Sequence, residues 1–262
     1  MATKRRIRLT DLLRENSVVQ VLASRDFKVK YKQSLLGPIW LIFQPLALLG
    51  AFLIAFRGLG NVEPGTPYLV FALGGLMVWS FFQAAMTIGS ASLMTNFTLV
   101  RFTPCPRFAF PLASTIASLP SLGATVVGAI FAAVVTGTIS PRAVLLPVGF
   151  LWLFLLTIGT VFIASSLAVR FRDIISVVPF LLQLGVFLAP IGYPLSSLSE
   201  PIRILIDFNP LTGMMEAFRW ALIAGYSPSF EPIGVSLAMT AVIAVSGWLI
   251  FSRLETTMAD EI

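Results

Sequence analysis

A chain of 262 residues that is 57% hydrophobic and only 11% charged cannot coat a water-facing surface, for which soluble domains use roughly 25% charged residues. With a mean hydropathy of +0.91, that length suits one membrane domain of about five to seven spans of about 20 residues each, leaving none for a soluble domain. The net charge of +6 is not a nucleic-acid footprint, since nine of the eighteen Lys and Arg residues lie in the first 32 positions and no Lys follows Lys32; a basic end on a hydrophobic body reads as a membrane protein held from its cytoplasmic side.

In chain order, the first predicted element is an interfacial helix over 10–32. Thr10-Asp11 can cap it, and Leu12, Leu13, Val18, Val19, Val21 and Leu22 supply its apolar residues. Arg25, Lys28 and Lys32 share a face at i, i+3, i+7, suited to anionic headgroups or a partner. The spans follow as gaps in the charge. Lys32 to Arg57 leaves 24 uncharged residues, Glu63 to Arg101 leaves 37, and Arg107 to Arg142 leaves 34. Arg142 to Arg170 leaves 27, Asp173 to Glu200 leaves 26, and Glu231 to Arg253 leaves 21. Each gap holds one helix across a hydrocarbon layer of about 30 Å, so the expectation is an all-α integral membrane protein with six transmembrane helices.

Six spans put both termini on one side. That side, with the loops at 93–107 and 170–173, carries fourteen basic residues against four opposite, namely Arg57, Arg142, Arg203 and Arg219. The richer side is cytoplasmic. The 93–107 loop sets Arg101 and Arg107 around Pro104 and Pro106, a short, stiff projection. In the third span, Ser118, Gly123, Ala124 and Gly128 predict close helix packing. Between 195 and 230, Glu200, Arg203 and Asp207 align at i, i+3, i+7; Asn209-Pro210 then breaks the helix and Glu216 and Arg219 pair at i, i+3. So many charges are costly against lipid, so two short helices dipping in from the outer side are expected, lining a cavity or packed on protein.

These gaps hold no ionisable Asp, Glu, Lys or Arg, and the chain has no His. Intramembrane acid–base chemistry and titratable proton coupling therefore lack their groups, and no metal site is expected. The single Cys105 permits no intrachain disulfide. A phosphate-binding loop needs Gly-Lys-Ser/Thr, whereas the last Lys is Lys32 and the first Gly is Gly37. The chain is thus not an ATPase, and any ATP and Mg must be bound by a separate subunit. Aromatic residues are available for the C–H faces of sugars: Trp40, Phe43, Phe52 and Phe56 in the first span, Trp79, Phe81 and Phe82 in the second, and Phe180, Phe187 and Tyr193 in the fifth.

The stretch from Arg25 to Trp40, reading Arg-Asp-Phe-Lys-Val-Lys-Tyr-Lys-Gln-Ser-Leu-Leu-Gly-Pro-Ile-Trp, followed by Gln44-Pro45, resembles the entry to the first span of bacterial ABC polysaccharide-export permeases. So do Val169-Arg170-Phe171-Arg172-Asp173, Ala189-Pro190-Ile191-Gly192-Tyr193-Pro194, Asn209-Pro210-Leu211-Thr212 and Glu216-Ala217-Phe218-Arg219-Trp220. The likeness runs from about residue 10 to 255, so 1–262 is expected to be a single permease domain in the bacterial inner membrane. It implies a homodimer bound to two copies of a P-loop ATPase subunit, exporting lipid-linked polysaccharide such as O-antigen, teichoic acid or capsule. It places a cytoplasmic coupling helix at 93–107, making Asn96, Arg101, Arg107, Arg25 and Lys28 the candidate ATPase-coupling residues. The candidate translocation path is Trp40, Phe43, Phe52, Phe56, Phe187 and Tyr193, and the candidate outer gate is Glu200, Arg203, Asp207, Glu216 and Arg219. Where many members carry aromatic-Pro-Arg-Glu after that helix, this chain has Cys105-Pro106-Arg107-Phe108. A drug or lipid exporter, and an uncoupled channel or scaffold, are the alternative readings.

Overall fold

The uncharged runs of this chain fold as helices, and two of them continue through a proline, Pro45 and Pro179. The computed structural model describes residues 16–32, 34–56, 67–102 and 105–255, so Thr10, Asp11, Leu12, Leu13, Arg57 and Pro104 lie outside them. Among the described residues there are helices and one isolated bridge but no strand. Helix α1 (Asn16–Tyr31) turns into α2 (Trp40–Phe56) at Gly37, whose φ of +51° is costly for residues with a Cβ. Then come α3 (Tyr68–Gly89), the short α4 (Ser92–Thr95) and α5 (Phe97–Phe102), and α6 (Ala109–Ala117) and α7 (Leu119–Val135), which divide at Ser118. Helices α8 (Leu146–Arg170), α9 (Ile174–Leu188), α10 (Glu200–Asp207), α11 (Pro210–Leu222) and α12 (Phe230–Leu254) complete the chain.

Among the described residues, five helical stretches are long and apolar enough to cross a membrane: 37–56, 68–89, 109–135, 141–170 and 230–254. The fifth uncharged gap behaves differently. Its helix α9 has 15 residues, about 22 Å at 1.5 Å per residue, and the chain then runs without helix through Ala189–Pro194. The 93–107 segment is likewise two short helices rather than one projection.

Helix α3 is the hub. It is buried over 72% of its apolar window, against 17% for α2, and packs on α2, α6, α7, α8, α9 and α11. A second core forms at the α1 end, where Val19, Leu22 and Ala23 of α1 pack with Phe108, Phe110 and Ala113 at α6 and Phe251 of α12. The third-span expectation is corrected here: within the chain, a Cβ added at Gly123 or Gly128 would meet nothing within 4 Å. Close backbone approach occurs instead between α8 and α12, where a Cβ on Gly247 would lie 2.3 Å from the Gly159 carbonyl oxygen. At the far end, Ile139 bridges Ile223, and Arg142 donates to the Ile223 carbonyl at 3.1 Å while lying 4.6 Å over the Trp220 ring.

Candidate functional site

The 209–219 sequence builds its helix from a strong start. The Asn209 side chain accepts from the Leu211 N–H at 3.0 Å, Pro210 occupies the first turn, and the Thr212 hydroxyl donates to the Ile206 carbonyl at 2.7 Å. Glu216 and Arg219 then stand on one face of α11, Arg219 reaching α3 and the non-helical 189–194 stretch and Glu216 reaching Tyr226 and Ser229. Arg219 is fully buried and Glu216 is 3% exposed. The guanidinium donates to Glu216 at 3.1 Å, to the Phe71 carbonyl at 3.2 Å, to the Ile191 carbonyl at 3.0 Å and to the Pro190 carbonyl. It lies 3.5 Å from the Phe71 ring centroid, a cation–π contact in a desolvated place. Glu216 in turn accepts from the Tyr226 hydroxyl at 2.9 and 3.1 Å and from the Ser229 N–H at 3.2 Å. Room for this cluster comes from Gly74 and Gly75. A Cβ on Gly74 would stand 3.0 Å from Arg219 Cγ, and one on Gly75 would stand 2.9 Å from Ile191 Cα.

Two of the five candidate gate charges are therefore a buried lock, tying α11 to α3 and to the chain leaving α9. The other three sit on α10, where Arg203 pairs with Asp207 at 3.6 Å and Glu200 is exposed. Sequence reasoning missed Tyr68, Phe71, Gly74, Gly75, Tyr226 and Ser229. The adjacent glycines within a helix of α3's length were the available signal, since each weakens a helix by about 1 kcal/mol relative to Ala and so points to a close neighbour.

The candidate path aromatics separate. Phe52 and Phe56 stack at 5.7 Å, Phe56 lies 6.1 Å from Tyr193, and a Cβ on Gly192 would be 2.6 Å from Phe52. The Tyr68 hydroxyl donates to the Gly192 carbonyl at 2.8 Å, and that of Tyr193 to the Phe187 carbonyl at 2.9 Å. Phe52 and Tyr193 are buried within the chain, so they pack this junction. Trp40 and Phe43, edge to face at 5.4 Å, are exposed, as is Phe187. Trp79 and Phe81 are core residues.

At the α1 end, Arg25 reaches across 71 positions to the Asn96 side-chain oxygen at 2.5 Å and also holds Asp26 at 2.8 Å. Ser114 of α6 donates to the other Asp26 oxygen at 2.9 Å, and the Asn96 amide donates to the Ser92 carbonyl at 2.8 Å. One polar cluster thus joins α1, α4 and α6. Lys28 is exposed on α1, and Arg101 lies over Phe97 and Phe102 at 5.9 and 5.7 Å. Arg107 goes elsewhere, donating to the Glu255 backbone carbonyl.

Burial raises the Glu255 carboxyl above its ordinary value, against the opposing pull of Arg107. The folded state then binds this proton more tightly than the unfolded chain, so its contribution is present at low pH and lost as pH rises through the folded pKa. Glu255→Gln is expected to flatten that part of the pH dependence. Melting temperatures at about pH 5 and about pH 8 check this; identical slopes for wild type and variant would contradict it.

Residues 17–223 match the family described as ABC-2 type transporter. The chain is similar to the O-antigen export system permease protein RfbA of Klebsiella pneumoniae, with 28% identity over 242 residues, covering 92% of this chain and 93% of that protein. RfbA of Myxococcus xanthus is 24% identical over 251 residues, covering 92% and 94%. The polysialic acid transport protein KpsM of Escherichia coli is 24% identical over 246 residues, with the same coverage.

Proposed function

We propose, given that this chain belongs to the ABC-2 type transporter family, that it is the permease subunit of an exporter for lipid-linked polysaccharide in the bacterial inner membrane. The observation that carries the reading is similarity over 92% of the chain to an O-antigen export system permease protein and to a polysialic acid transport protein. Its residues agree with that likeness: the motifs around 189–194, 209–212 and 216–220 that resemble polysaccharide-export permeases meet at one junction, around Arg219.

Helix α9 supplies a sixth, short crossing beside the five longer stretches, and α10 and α11 form a re-entrant pair on the outer side. Both termini are cytoplasmic, because α1, the 93–107 segment, 170–173 and Arg253 gather the basic residues at one end. Among the described residues the outer arginines have partners: Arg203 pairs with Asp207, Arg219 with Glu216, and Arg142 lies over the Trp220 ring. Two copies of the chain enclose the path, with exposed Trp40, Phe43 and Phe187 as its sugar-facing aromatics. Weak contact with C–H faces lets a polymer slide, whereas deep polar pockets would hold it. ATP and Mg reside on two copies of a P-loop subunit docked beneath α4 and α5. A movement imposed there passes through Asn96 and Arg25 to α1 and through Asp26 and Ser114 to α6.

Co-expression with a candidate P-loop ATPase subunit, followed by ATP-dependent uptake of a lipid-linked glycan into inverted vesicles, tests the whole reading. Uptake without ATP, or recovery of no ATPase, would favour an uncoupled channel. For docking, Arg101→Glu is expected to lower ATPase recovery about tenfold, an interface loss of about 1.4 kcal/mol, with the permease still in the membrane fraction. Undiminished recovery and export would remove Arg101 from the docking surface.

A further inference from the structure

A groove of about 380 Å³ opens between α2, α3 and the start of α7, and Lys30 and Tyr31 of α1 close one end. It lies in the half of the bundle that carries α1, α4 and α5. Helices α2, α3 and α9 contain three glutamines, Gln44, Gln83 and Gln183, and two of them line this one groove. Among the described residues neither of those carboxamides is hydrogen-bonded. Trp79 lines the same groove with its ring, while its indole N–H is closed off from it. Gln44 is exposed and Gln83 half-buried, so both carboxamides are open to the groove and offer donors to a ligand rich in oxygen. Lys30 is the one charged residue of the lining and is exposed, so its ammonium is open to an anion.

The size limits the occupant. Ligand pockets of roughly 300–1,000 Å³ hold small molecules, so this groove has room for a phosphate and one hydroxylated group but not for several sugars. We propose that it binds the phosphate-bearing headgroup of an anionic amphiphile from the cytoplasmic leaflet, with phosphate at Lys30 and Tyr31 and the attached hydroxyls at Gln44 and Gln83. Two sources share that chemistry, a resident anionic phospholipid and the lipid phosphate of the export cargo. The second rests on the export function proposed above, and the first does not.

The test uses the full permease–ATPase complex in phosphatidylcholine nanodiscs, titrated in separate arms with phosphatidylglycerol and with a short polyprenyl phosphoryl-sugar. Lipid retained per chain is read by mass spectrometry. Lys30→Gln and Gln83→Glu are expected to weaken retention at least about tenfold, with Lys30→Arg restoring it; Gln83→Glu keeps the side-chain size and adds a repelling charge. Gln183→Glu, on α9 outside the groove, should retain lipid as wild type does. Saturation by phosphatidylglycerol alone identifies a resident lipid, and saturation by the polyprenyl probe identifies cargo capture; either supports the site. Equal retention in wild type and both groove variants, with melting temperatures unchanged, overturns it. Retention of phosphatidylcholine as tightly as either anion overturns it too.

Discussion

Replacing Arg219 with alanine is expected to destabilise the permease by about 3–5 kcal/mol, the usual cost of leaving one member of a buried ion pair alone. The variant leaves Glu216 charged in an apolar setting and strips donors from the carbonyls of Phe71, Pro190 and Ile191. Each abandoned buried acceptor adds to the loss. Because the guanidinium serves backbone on two other segments, an Arg219→Met, Glu216→Met double variant should recover only part of it, although many buried pairs tolerate apolar replacement. Arg203→Ala is the matched comparison. Its pair with Asp207 is 3.6 Å long and partly exposed, so under about 1 kcal/mol is expected. Melting temperature and monodisperse yield in detergent separate the two. Similar values for Arg219→Ala and Arg203→Ala would mean that the junction is not held by this side chain. Proteolysis near 189–194 gives a second reading, since that stretch is expected to loosen first once its carbonyls are released.

Gly213→Val should be nearly as damaging, for a steric reason. A Cβ at Gly213 would lie 2.1 Å from the Pro232 carbonyl oxygen and 2.5 Å from its carbon. The obstruction is backbone of α12, which cannot rotate aside as a side chain would. Overpacking a core typically costs about 1–3 kcal/mol, and this site belongs at the upper end or above, because α11 must move off α12 and carries Arg219 with it. Gly128→Ala, whose new methyl meets nothing within the chain, is expected to be neutral or to gain up to about 1 kcal/mol from helix propensity. If Gly213→Val melts with Gly128→Ala, the close crossing of α11 and α12 is not present in the membrane.

Some of this was open to reading from residue order, and some was not. The 195–230 segment was legible as two short helices because Asn209-Pro210 acts locally: a side-chain cap and a missing N–H fix a helix start wherever it sits. The fate of Glu216 and Arg219 was not. An i, i+3 spacing puts both on one face without saying what that face meets, and the Phe71 carbonyl that receives Arg219 is 148 positions away. Small residues misled for the same reason. Gly123 and Gly128 look like a packing stripe, yet among the described glycines it is Gly75, Gly159, Gly213 and Gly247 that have another backbone hard against them.

The sequence by itself determined the membrane character, the number and bounds of the uncharged runs, the asymmetry of basic charge and the lack of a phosphate-gripping loop. Each is a sum over neighbouring residues, and solvation acts on such sums before any fold exists. Only the tertiary structure decided that α9 stops short and continues as non-helical chain, that the candidate gate charges divide into a buried lock and a partly exposed pair, and that Arg25 meets Asn96. Those outcomes depend on which donor finds which acceptor across the bundle, and in an apolar interior an unmatched group costs more than a distant partner does.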